Sequence, residues 1–306
     1  MSASGNQNNK NATTDVVGEP IALQQESISL WQDAWIRLKS NKVAMFSLGT
    51  LIVIILASIF GPMISAFNYY SNDLMNTNKP PSGVHWFGTD NLGRDMWVRT
   101  WMGARISLIV GLAAAAIDLI IGIIYGGIMG YFGGRVDNIM NKFSEVLYSI
   151  PYLLVVILLL VVLEPGLGTI IIALTVTGWI TMSWIVRGEI MQLKSRDFVL
   201  AARSMGAGAG RQLFKHLLPN ALGPIIVTVT LSVPSAIFSE AFLSFLGLGV
   251  QAPVASLGSM INDALTGWNL YPWRMWFPAA LICLTMLAFN LLGDGLRDAL
   301  DPKLRK

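Results

Sequence analysis

The sequence predicts an all-α protein that crosses a lipid bilayer several times. Of its 306 residues, 54% are hydrophobic and only 13% are charged, and the mean hydropathy of +0.58 lies far above that of soluble domains. Apolar runs of about 20 residues, long enough to cross ~30 Å of hydrocarbon, recur along the chain. Because lipid offers no partners for backbone groups, these runs indicate a bundle of six transmembrane helices. They lie near residues 43–66, 104–132, 144–163, 168–186, 221–247 and 276–296.

The placement of lysine and arginine predicts the orientation of this bundle. Basic residues concentrate in short cytoplasmic loops, and an even number of spans places both termini on one side of the membrane. With both termini inside, sixteen of the 21 lysines and arginines lie in the cytoplasm, so an N-in, C-in arrangement is favoured. The net charge of +3 is therefore a topology signal and does not indicate binding to nucleic acid.

The N-terminal part divides into a tail and a membrane entry. Residues 1–29 are rich in Asn, Gln, Ser and Thr and lack the apolar core of a signal peptide, so we expect a disordered cytoplasmic tail. Residues 30–66 are expected to form an interfacial helix and then the first span. Tryptophans on one face with basic residues beside them are typical of a helix in the headgroup region, although simple flanking charge explains the basic residues equally well. That face comprises Leu30, Trp31, Trp35 and Leu38, flanked by Arg37 and Lys39.

The second span follows an extracellular segment, residues 67–103, in which a Gly/Asp turn precedes an aromatic, arginine-bearing amphipathic run. Glycines at four-residue intervals in the span predict a smooth ridge on which another helix packs. Asp118 lies one step further along this ridge. A carboxylate at mid-bilayer costs roughly 2.5–3.5 kcal/mol, so it faces protein or water. A buried, hydrogen-bonded packing role and a direct role in a substrate path both remain open. The ridge comprises Gly122, Gly126, Gly130 and Gly134.

The fifth span offers a second polar surface. Four hydroxyl side chains fall on one side of this helix, and Pro234 interrupts its hydrogen-bond ladder. The stripe either lines a polar path or bonds back to the helix and holds neighbouring helices. Glu240 lies about a quarter turn from the stripe, which indicates a gate or a subunit interface. The hydroxyl stripe comprises Thr228, Ser232, Ser235 and Ser239.

The basic, amphipathic stretch 187–220, between the fourth and fifth spans, is the most informative segment. Two apolar-periodic runs flank a glycine-rich break at residues 206–210, which indicates a helix-turn-helix. The order of two alanines, three residues, glycine, eleven residues and Leu-Pro resembles the EAA loop of ABC importer permeases. That loop couples the membrane subunit to an ATPase; an ordinary amphipathic connector is the alternative. The family pattern usually begins with an acid, where Leu200 stands here. The coupling residues implied by the resemblance are Leu200, Ala201, Ala202, Gly206, His216, Leu218 and Pro219.

Further motifs narrow the resemblance to the C-type permeases of bacterial oligopeptide and dipeptide ABC importers. It covers residues 29–306 and implies the type I importer fold, in the bacterial cytoplasmic (inner) membrane. The transmembrane core is then expected over residues 104–296 and a cytoplasmic tail over residues 297–306. The implied partners are a second homologous permease, two cytoplasmic ATPase subunits and an extracellular peptide-binding protein, all assembled at the lipid bilayer. The motifs are SLWQDAW, HWFGTDNLGRDMWVRTWMGARISL, EAFLSFLGLGVQAP and GDGLRDALDPK.

The implied function is ATP-driven import of oligopeptides or dipeptides by alternating access. The chain has no GxxxxGK[ST] phosphate loop, and with only two histidines and one cysteine it offers no metal or nucleophile constellation. We therefore expect no enzyme activity and no cofactor or metal on this chain, with ATP and Mg held by partner subunits. Nickel or another small solute is the alternative cargo. An ATP-independent carrier or channel and a membrane-embedded enzyme are the alternatives outside this class.

Overall fold

The computed structural model describes residues 30–164 and 166–301. The predicted tail at residues 1–29 and the end of the predicted tail at residues 297–306 lie outside this range. Helices form the described part, and a short 3-10 turn (Leu74–Asn76) and a π-helical turn (Gln212–Leu217) lie between them. In chain order the helices are α1 (Leu30–Ser40), α2 (Lys42–Ile64), α3 (Met96–Phe132), α4 (Gly134–Tyr148), α5 (Tyr152–Val162), α6 (Leu167–Lys194), α7 (Asp197–Ser204), α8 (Ala209–Arg211), α9 (Leu218–Phe245), α10 (Leu257–Leu265) and α11 (Trp273–Leu300).

Five helices of the described part are long and apolar enough to cross a membrane, with α8 to α9 counted as one continuous helix, Ala209–Phe245. A sixth span exists only if α4 and α5 count together, because these two helices meet at an angle of 79°. The span predicted over residues 144–163 therefore comprises the end of α4, the bend and α5. Pro151 has no N–H group and disfavours a helical Ile150, so the helix ends before this dipeptide and restarts after it.

Buried ion pairs organise the predicted extracellular segment, residues 67–103, the end of which is already the first part of α3. Asp95 caps α3 by accepting a hydrogen bond from the Val98 N–H at 2.9 Å, and its other oxygen lies 2.8 Å from Nδ1 of His85. Asp90 lies 2.7 Å from Nε of Arg94 and 3.3 Å from Nε of Arg99. These contacts hold the segment against the start of α3.

Helices α3 and α6 approach each other at backbone distance. A Cβ atom added to Gly126 would lie 2.2 Å from the carbonyl oxygen of Ser183, and one added to Gly130 would lie 2.8 Å from that of Arg187. Gly122 likewise leaves no room, since its Cβ would lie 2.4 Å from Cγ of Met182. Small residues let two helices make such close van der Waals contact in lipid. The α3–α6 pair therefore packs backbone against backbone over more than one helical turn.

The glycine ridge ends at Gly130. Gly134, predicted as its last member, lies beyond the end of α3, has a φ of +54° and meets nothing within 4 Å of an added Cβ. The ridge prediction is wrong at this position because the chain turns at Gly133 to begin α4. An ion pair holds α4 on α6 instead: Nε and Nη2 of Arg187 lie 2.5 and 2.6 Å from the carboxylate oxygens of Asp137.

Helix α1 lies against the inner end of α11. Leu38 is buried in a small cluster with Ala44 and Ala299. Trp31 and Trp35 are about half exposed, and the ammonium group of Lys39 lies 5.4 Å from the centre of the Trp35 ring. Leu38 therefore anchors the helix to the bundle, while the tryptophans remain free for the headgroup region, where amphipathic rings are favoured.

Candidate functional site

One face of the 187–220 segment exposes large apolar side chains. Leu200 is 48% exposed, Met205 82% and Phe214 63%. Ala201 is exposed beside them on α7. Contiguous exposed apolar side chains on a basic segment favour contact with another protein. We refer to Leu200, Ala201, Met205 and Phe214 as the docking surface.

The opposite face of α7 packs into the bundle. Val199 and Ala202 are both buried, and Val199 belongs to a core cluster with Leu213 and Leu217. Leu218 packs against the same cluster. Ala202, expected on the coupling surface, therefore faces inwards, because residues three apart lie on one side of a helix. Its small size suits a packing role.

The turn after α7 depends on Gly206. This residue has a φ of +82°, which side chains with a Cβ rarely adopt. Its N–H donates to the carbonyl of Arg203 at 3.0 Å, and the N–H of Ala207 donates to that of Ala202 at 3.0 Å. This pair of hydrogen bonds is the Schellman motif, which ends a helix and satisfies its last carbonyls. Gly206 therefore fixes the direction in which the chain leaves α7.

A buried amide links this turn to α3. Gln212 donates from Nε2 to the carbonyl of Ala207 at 2.5 Å and accepts from the Tyr131 hydroxyl at 3.1 Å. Lys194 donates from Nζ to the backbone carbonyl of Tyr131. The turn that follows α7 is thus connected by hydrogen bonds to the inner end of α3, so the two are expected to move together.

The π-helical turn and the start of α9 hold two further predicted coupling residues, His216 and Pro219. His216 is partly exposed, and its backbone carbonyl accepts a hydrogen bond from Nδ2 of Asn220 at 2.6 Å. Pro219 is exposed in the first turn of α9, directly after the π-helical turn. A proline there removes an N–H and crowds the preceding turn, which accounts for the local departure from α-helical bonding.

A cavity of about 420 Å³ lies between α3, the α4–α5 bend, α6 and α9. It brings the two polar surfaces of the sequence together: Asp118 enters from α3, and the whole hydroxyl stripe enters from α9. Tyrosines at the bend and threonines on α6 complete its polar lining. The residues on its wall are Ala114, Asp118, Tyr148, Tyr152, Leu174, Thr177, Gly178, Thr181, Thr228, Leu231, Ser232, Ser235, Ala236 and Ser239.

The stripe both lines this cavity and bonds back to its own helix. The hydroxyl of Thr228 donates to a carbonyl one turn earlier at 2.9 Å, that of Ser232 at 2.9 Å and that of Ser235 at 3.3 Å. Such back-bonding satisfies the O–H donors and leaves oxygen lone pairs as acceptors. The two interpretations of the stripe are therefore compatible.

Asp118 is the charged group on the wall of this cavity. Its Oδ1 is buried and has no hydrogen-bond partner among the described residues. Gly178 makes room for it, because a Cβ there would lie 2.3 Å from Oδ2 of Asp118. The expected hydrogen-bonded packing role is therefore not what the geometry provides, and the carboxylate is placed by the shape of the two helices alone.

A second cavity of about 710 Å³ lies towards the 187–220 segment and shares Thr228 and Leu231 with the first. Its described lining includes the charged residues Glu189, Arg196 and Arg297. The two cavities are therefore neighbours along α6 and α9, and we refer to them together as the groove. This groove leads from Asp118 to the helix ends near α7.

Comparison with known proteins identifies the type of molecule. Residues 118–306 match the family described as binding-protein-dependent transport system inner membrane component, and residues 29–81 match the N-terminal TM domain of oligopeptide transport permease C. The chain belongs to the family of binding-protein-dependent transport permeases. The permease is thus a multi-pass component of the inner membrane, and it is a transport subunit that is not itself an ATPase.

Several characterised relatives are similar over nearly their whole length. The permease is 57% identical to the oligopeptide transport system permease protein OppC of Bacillus subtilis (strain 168), over 94% of this chain and 95% of that protein. The permease is also 57% identical to the dipeptide transport system permease protein DppC of the same organism, over 97% of this chain and 91% of that protein. OppC of Escherichia coli (strain K12) is 42% identical to the permease, over 92% of this chain and 94% of that protein.

A solved structure supports the fold. An inward-facing structure of the MetNI methionine ABC transporter contains a chain that superposes with a TM-score of 0.54 at 20% identity. The match covers 66% of the permease and 97% of that chain. At this identity the likeness concerns the fold alone, and it places the permease in the ABC importer architecture expected from its motifs.

Glu240 departs from its expected place. It is 0% exposed and does not line the cavity. Its carboxylate oxygens accept hydrogen bonds from Ser107 on α3 at 2.6 Å and from Ser244 on α9 at 2.7 Å. A side chain that reaches no surface of the permease does not fit a gate or a subunit interface. Glu240 instead joins α3 to α9 inside the bundle.

Sequence reasoning missed four residues that shape the two sites. Gly178 accommodates Asp118, Tyr152 lines the cavity with an unpaired hydroxyl, and Gln212 and Tyr131 link the coupling segment to α3. Only Gln212 carried a local signal, as a polar residue within an apolar-periodic run. In the described part of the chain, no group of three His, Cys, Asp or Glu side chains could hold a metal ion.

Proposed function

We propose that the permease forms one half of a pathway through which short peptides enter the cell by alternating access. The groove from Asp118 past Thr228 and Leu231 to the second cavity is the observation that carries this proposal. Its wall carries a carboxylate and several hydroxyl groups, it lies between the α3–α6 pair and α9, and its second cavity reaches Arg196 at the start of α7. The nearly full-length likeness to oligopeptide and dipeptide permeases supports a peptide as the cargo.

The proposed pathway is shared with a partner. The permease is a component of a binding-protein-dependent ABC transporter, which implies ATPase and binding-protein partners. We further propose that a second, homologous permease covers the open side of the groove. Two ATPase subunits then complete the importer, one of them attached to the docking surface, and an extracellular peptide-binding protein delivers the cargo. Large exposed apolar side chains on α5, such as Leu158 and Val161, suit contact with lipid or with that second permease.

The proposed coupling is mechanical. Force applied at Leu200 or Met205 passes through the capped end of α7 to the π-helical turn, and from Gln212 to the inner end of α3. Because α3 and α6 touch at their backbones, they respond as one rigid body. Since α9 forms the other wall of the groove, movement of the α3–α6 pair relative to α9 would open or close it.

Uptake assays test the cargo. We expect cells that lack this permease to lose uptake of labelled di-, tri- or pentapeptides and to regain it when the gene is restored, with nickel uptake unchanged. Loss of nickel uptake instead would favour the alternative cargo. Peptide transport by the purified permease alone in vesicles would contradict an ATP-coupled subunit, because only a carrier or channel moves its substrate without partners.

Substitutions on the two faces of α7 test the coupling. Ala201→Trp should lower uptake about tenfold or more with normal membrane insertion, since a bulky group there obstructs a contact surface. Ala201→Ser keeps the small size and serves as the control. Ala202→Trp should instead reduce the amount of folded protein, because Ala202 is buried. Wild-type uptake by Ala201→Trp at normal expression would contradict the proposed docking surface.

A further inference from the structure

The cavity at Asp118 is electrostatically one-sided. Among its wall residues Asp118 carries a negative charge, and none of the others is a lysine, arginine or histidine. Its Oδ1 is buried without a hydrogen-bond donor in the described part of the chain. A buried carboxylate oxygen without a donor is unfavourable, and protein interiors normally supply partners for such atoms. The cavity therefore lacks a positively charged donor that a ligand could provide.

The hydroxyl groups around Asp118 add acceptors to the same space. Thr228, Ser232 and Ser235 use their O–H groups on carbonyls of α9, which leaves their oxygen lone pairs available. Carboxylate and hydroxyl oxygens together suit a group that bears several N–H donors and a positive charge. They do not suit a carboxylate or a phosphate, because such a ligand would find like charge and no cationic donor.

The position of the carboxylate is built into the helix packing. Oδ2 of Asp118 occupies the space that a side chain at residue 178 would fill, since a Cβ atom added to Gly178 would lie only 2.3 Å from this oxygen. Tyr152 adds a second unpaired polar atom, its hydroxyl, to the same wall. Two buried polar atoms without partners in one cavity indicate a binding site more strongly than either does alone.

We propose that Asp118 binds the α-ammonium group of the transported peptide, and that hydroxyl oxygens of the α9 stripe accept its remaining N–H donors. This inference rests on the proposed function, because a peptide cargo brings a free ammonium group at its N-terminus. A lysine side chain of the peptide offers the same chemistry, so the experiment must separate these two sources. The site then orients the peptide in the groove, with its amino end at Asp118.

Uptake by the complete importer in proteoliposomes tests the proposal. The probes are trialanine, N-acetyl-trialanine and N-acetyl-Ala-Lys-Ala, each compared between wild type and Asp118→Asn, which keeps the shape of the side chain. We expect Asp118→Asn to lower trialanine uptake about tenfold or more, the loss typical of a charged hydrogen bond. N-acetyl-trialanine should change by less than about twofold, because it has no ammonium group to lose.

The other outcomes contradict either the ammonium site or the proposed function. Equal losses for trialanine and N-acetyl-trialanine would assign Asp118 a general structural role. A loss confined to N-acetyl-Ala-Lys-Ala would assign it to lysine side chains. Failure of the wild type to import any of these peptides would instead contradict the proposed function. Trialanine import that is insensitive to Asp118→Asn would contradict the ammonium site alone.

Cross-linking decides the case in which the importer takes up no acetylated peptide. In a Cys283→Ser background, Thr181→Cys places a thiol on the cavity wall close to Gly178. With mild oxidant in detergent, Cys-Ala-Ala should form the disulfide about fivefold faster than Ala-Ala-Cys, because its amino end is held nearby. Adding Asp118→Asn should abolish this preference. A preference that persists in Asp118→Asn, or none in the starting background, would contradict the site.

Discussion

Glu240 and Asp118 are both carboxylates inside membrane-spanning helices, yet their surroundings differ in every respect. Glu240 reaches no surface, and two serine hydroxyls donate to its oxygens at 2.6 and 2.7 Å. Asp118 lies on the wall of a cavity, and its buried Oδ1 has no donor in the described chain. The first carboxylate has its hydrogen-bond donors within the folded chain, whereas for the second we have proposed that a ligand supplies them.

This difference separates structural from functional carboxylates in a membrane protein. Both groups are costly to bury, so the cost of each must be offset. Hydrogen bonds within the chain offset it for Glu240 and thereby join α3 to α9. No such bond offsets it at Asp118, which is typical of sites where stability is sacrificed to binding. Hydrogen-bond partners, more than depth or charge, therefore distinguish the two roles.

The largest expected effect on stability is that of Glu240→Ala. This change removes the acceptor of two buried hydroxyls and leaves a void, so we expect a loss of about 3 kcal/mol in the free energy of unfolding. Thermal dissociation of the purified importer, followed by size-exclusion chromatography, measures it. Glu240→Gln, which retains an acceptor and nearly the same volume, should lose clearly less. If Glu240→Ala were as stable as the wild type, the conclusion that Glu240 stabilises the bundle by joining α3 to α9 would be wrong.

The opposite result is expected for Asp118→Leu. Replacing an unpaired carboxylate by an apolar group removes a burial cost, so thermal stability should stay unchanged or rise by about 1–2 kcal/mol. Peptide uptake should nevertheless be lost. The same dissociation assay and a proteoliposome uptake assay measure the two effects on one preparation. A loss of stability as large as that of Glu240→Ala would mean that Asp118 is a structural residue after all.

Sequence patterns could reveal both carboxylates but not their difference. The position of Asp118 on a glycine ridge and the hydroxyl stripe on the fifth span were each visible as helical periodicities. Their meeting in one cavity depends on how α3 and α9 pack, which no local spacing encodes. The decisive partner of Glu240, Ser107, is 133 residues away in the chain. Long-range hydrogen bonds of this kind require the fold.

Helix ends show a similar limit. Hydropathy located the spans, because burial in lipid demands long apolar runs. It did not reveal the bend within residues 144–163, where Pro151 interrupts the helix, and the glycine spacing did not reveal that the chain has already left α3 at Gly134. In both cases a local backbone signal, a proline or a pair of glycines, outweighed the periodicity. The coupling motif was recognisable since its residues are close in sequence.

Two serines offer a finer test of the same comparison. Ser107→Ala removes one donor to the Glu240 carboxylate and should cost about 1–2 kcal/mol of stability, because a hydrogen bond to a charged group is lost. Ser235→Ala removes a hydroxyl that bonds only to its own helix in the described structure, so its cost should be below about 0.5 kcal/mol. The dissociation assay compares the two variants. Equal losses of stability in the two variants would show that a hydrogen bond to the Glu240 carboxylate stabilises the fold no more than one to a carbonyl of the same helix.

The smallest expected effect extends the comparison from side chains to the backbone. Gly206 is required by the fold, since its φ of +82° completes the cap of α7, whereas Gly210 has an ordinary helical conformation in α8. Gly206→Ala should therefore loosen the end of α7 by about 1 kcal/mol, while Gly210→Ala should be neutral or slightly stabilising. Hydrogen exchange of the α7 amides measures this local change.

Faster exchange in Gly206→Ala, together with lower peptide uptake at normal expression, would tie the coupling of the importer to the rigidity of one helix end. Unchanged exchange would show instead that the cap tolerates the strain, and the direction in which the chain leaves α7 would then depend on Gln212 and its bond to Tyr131.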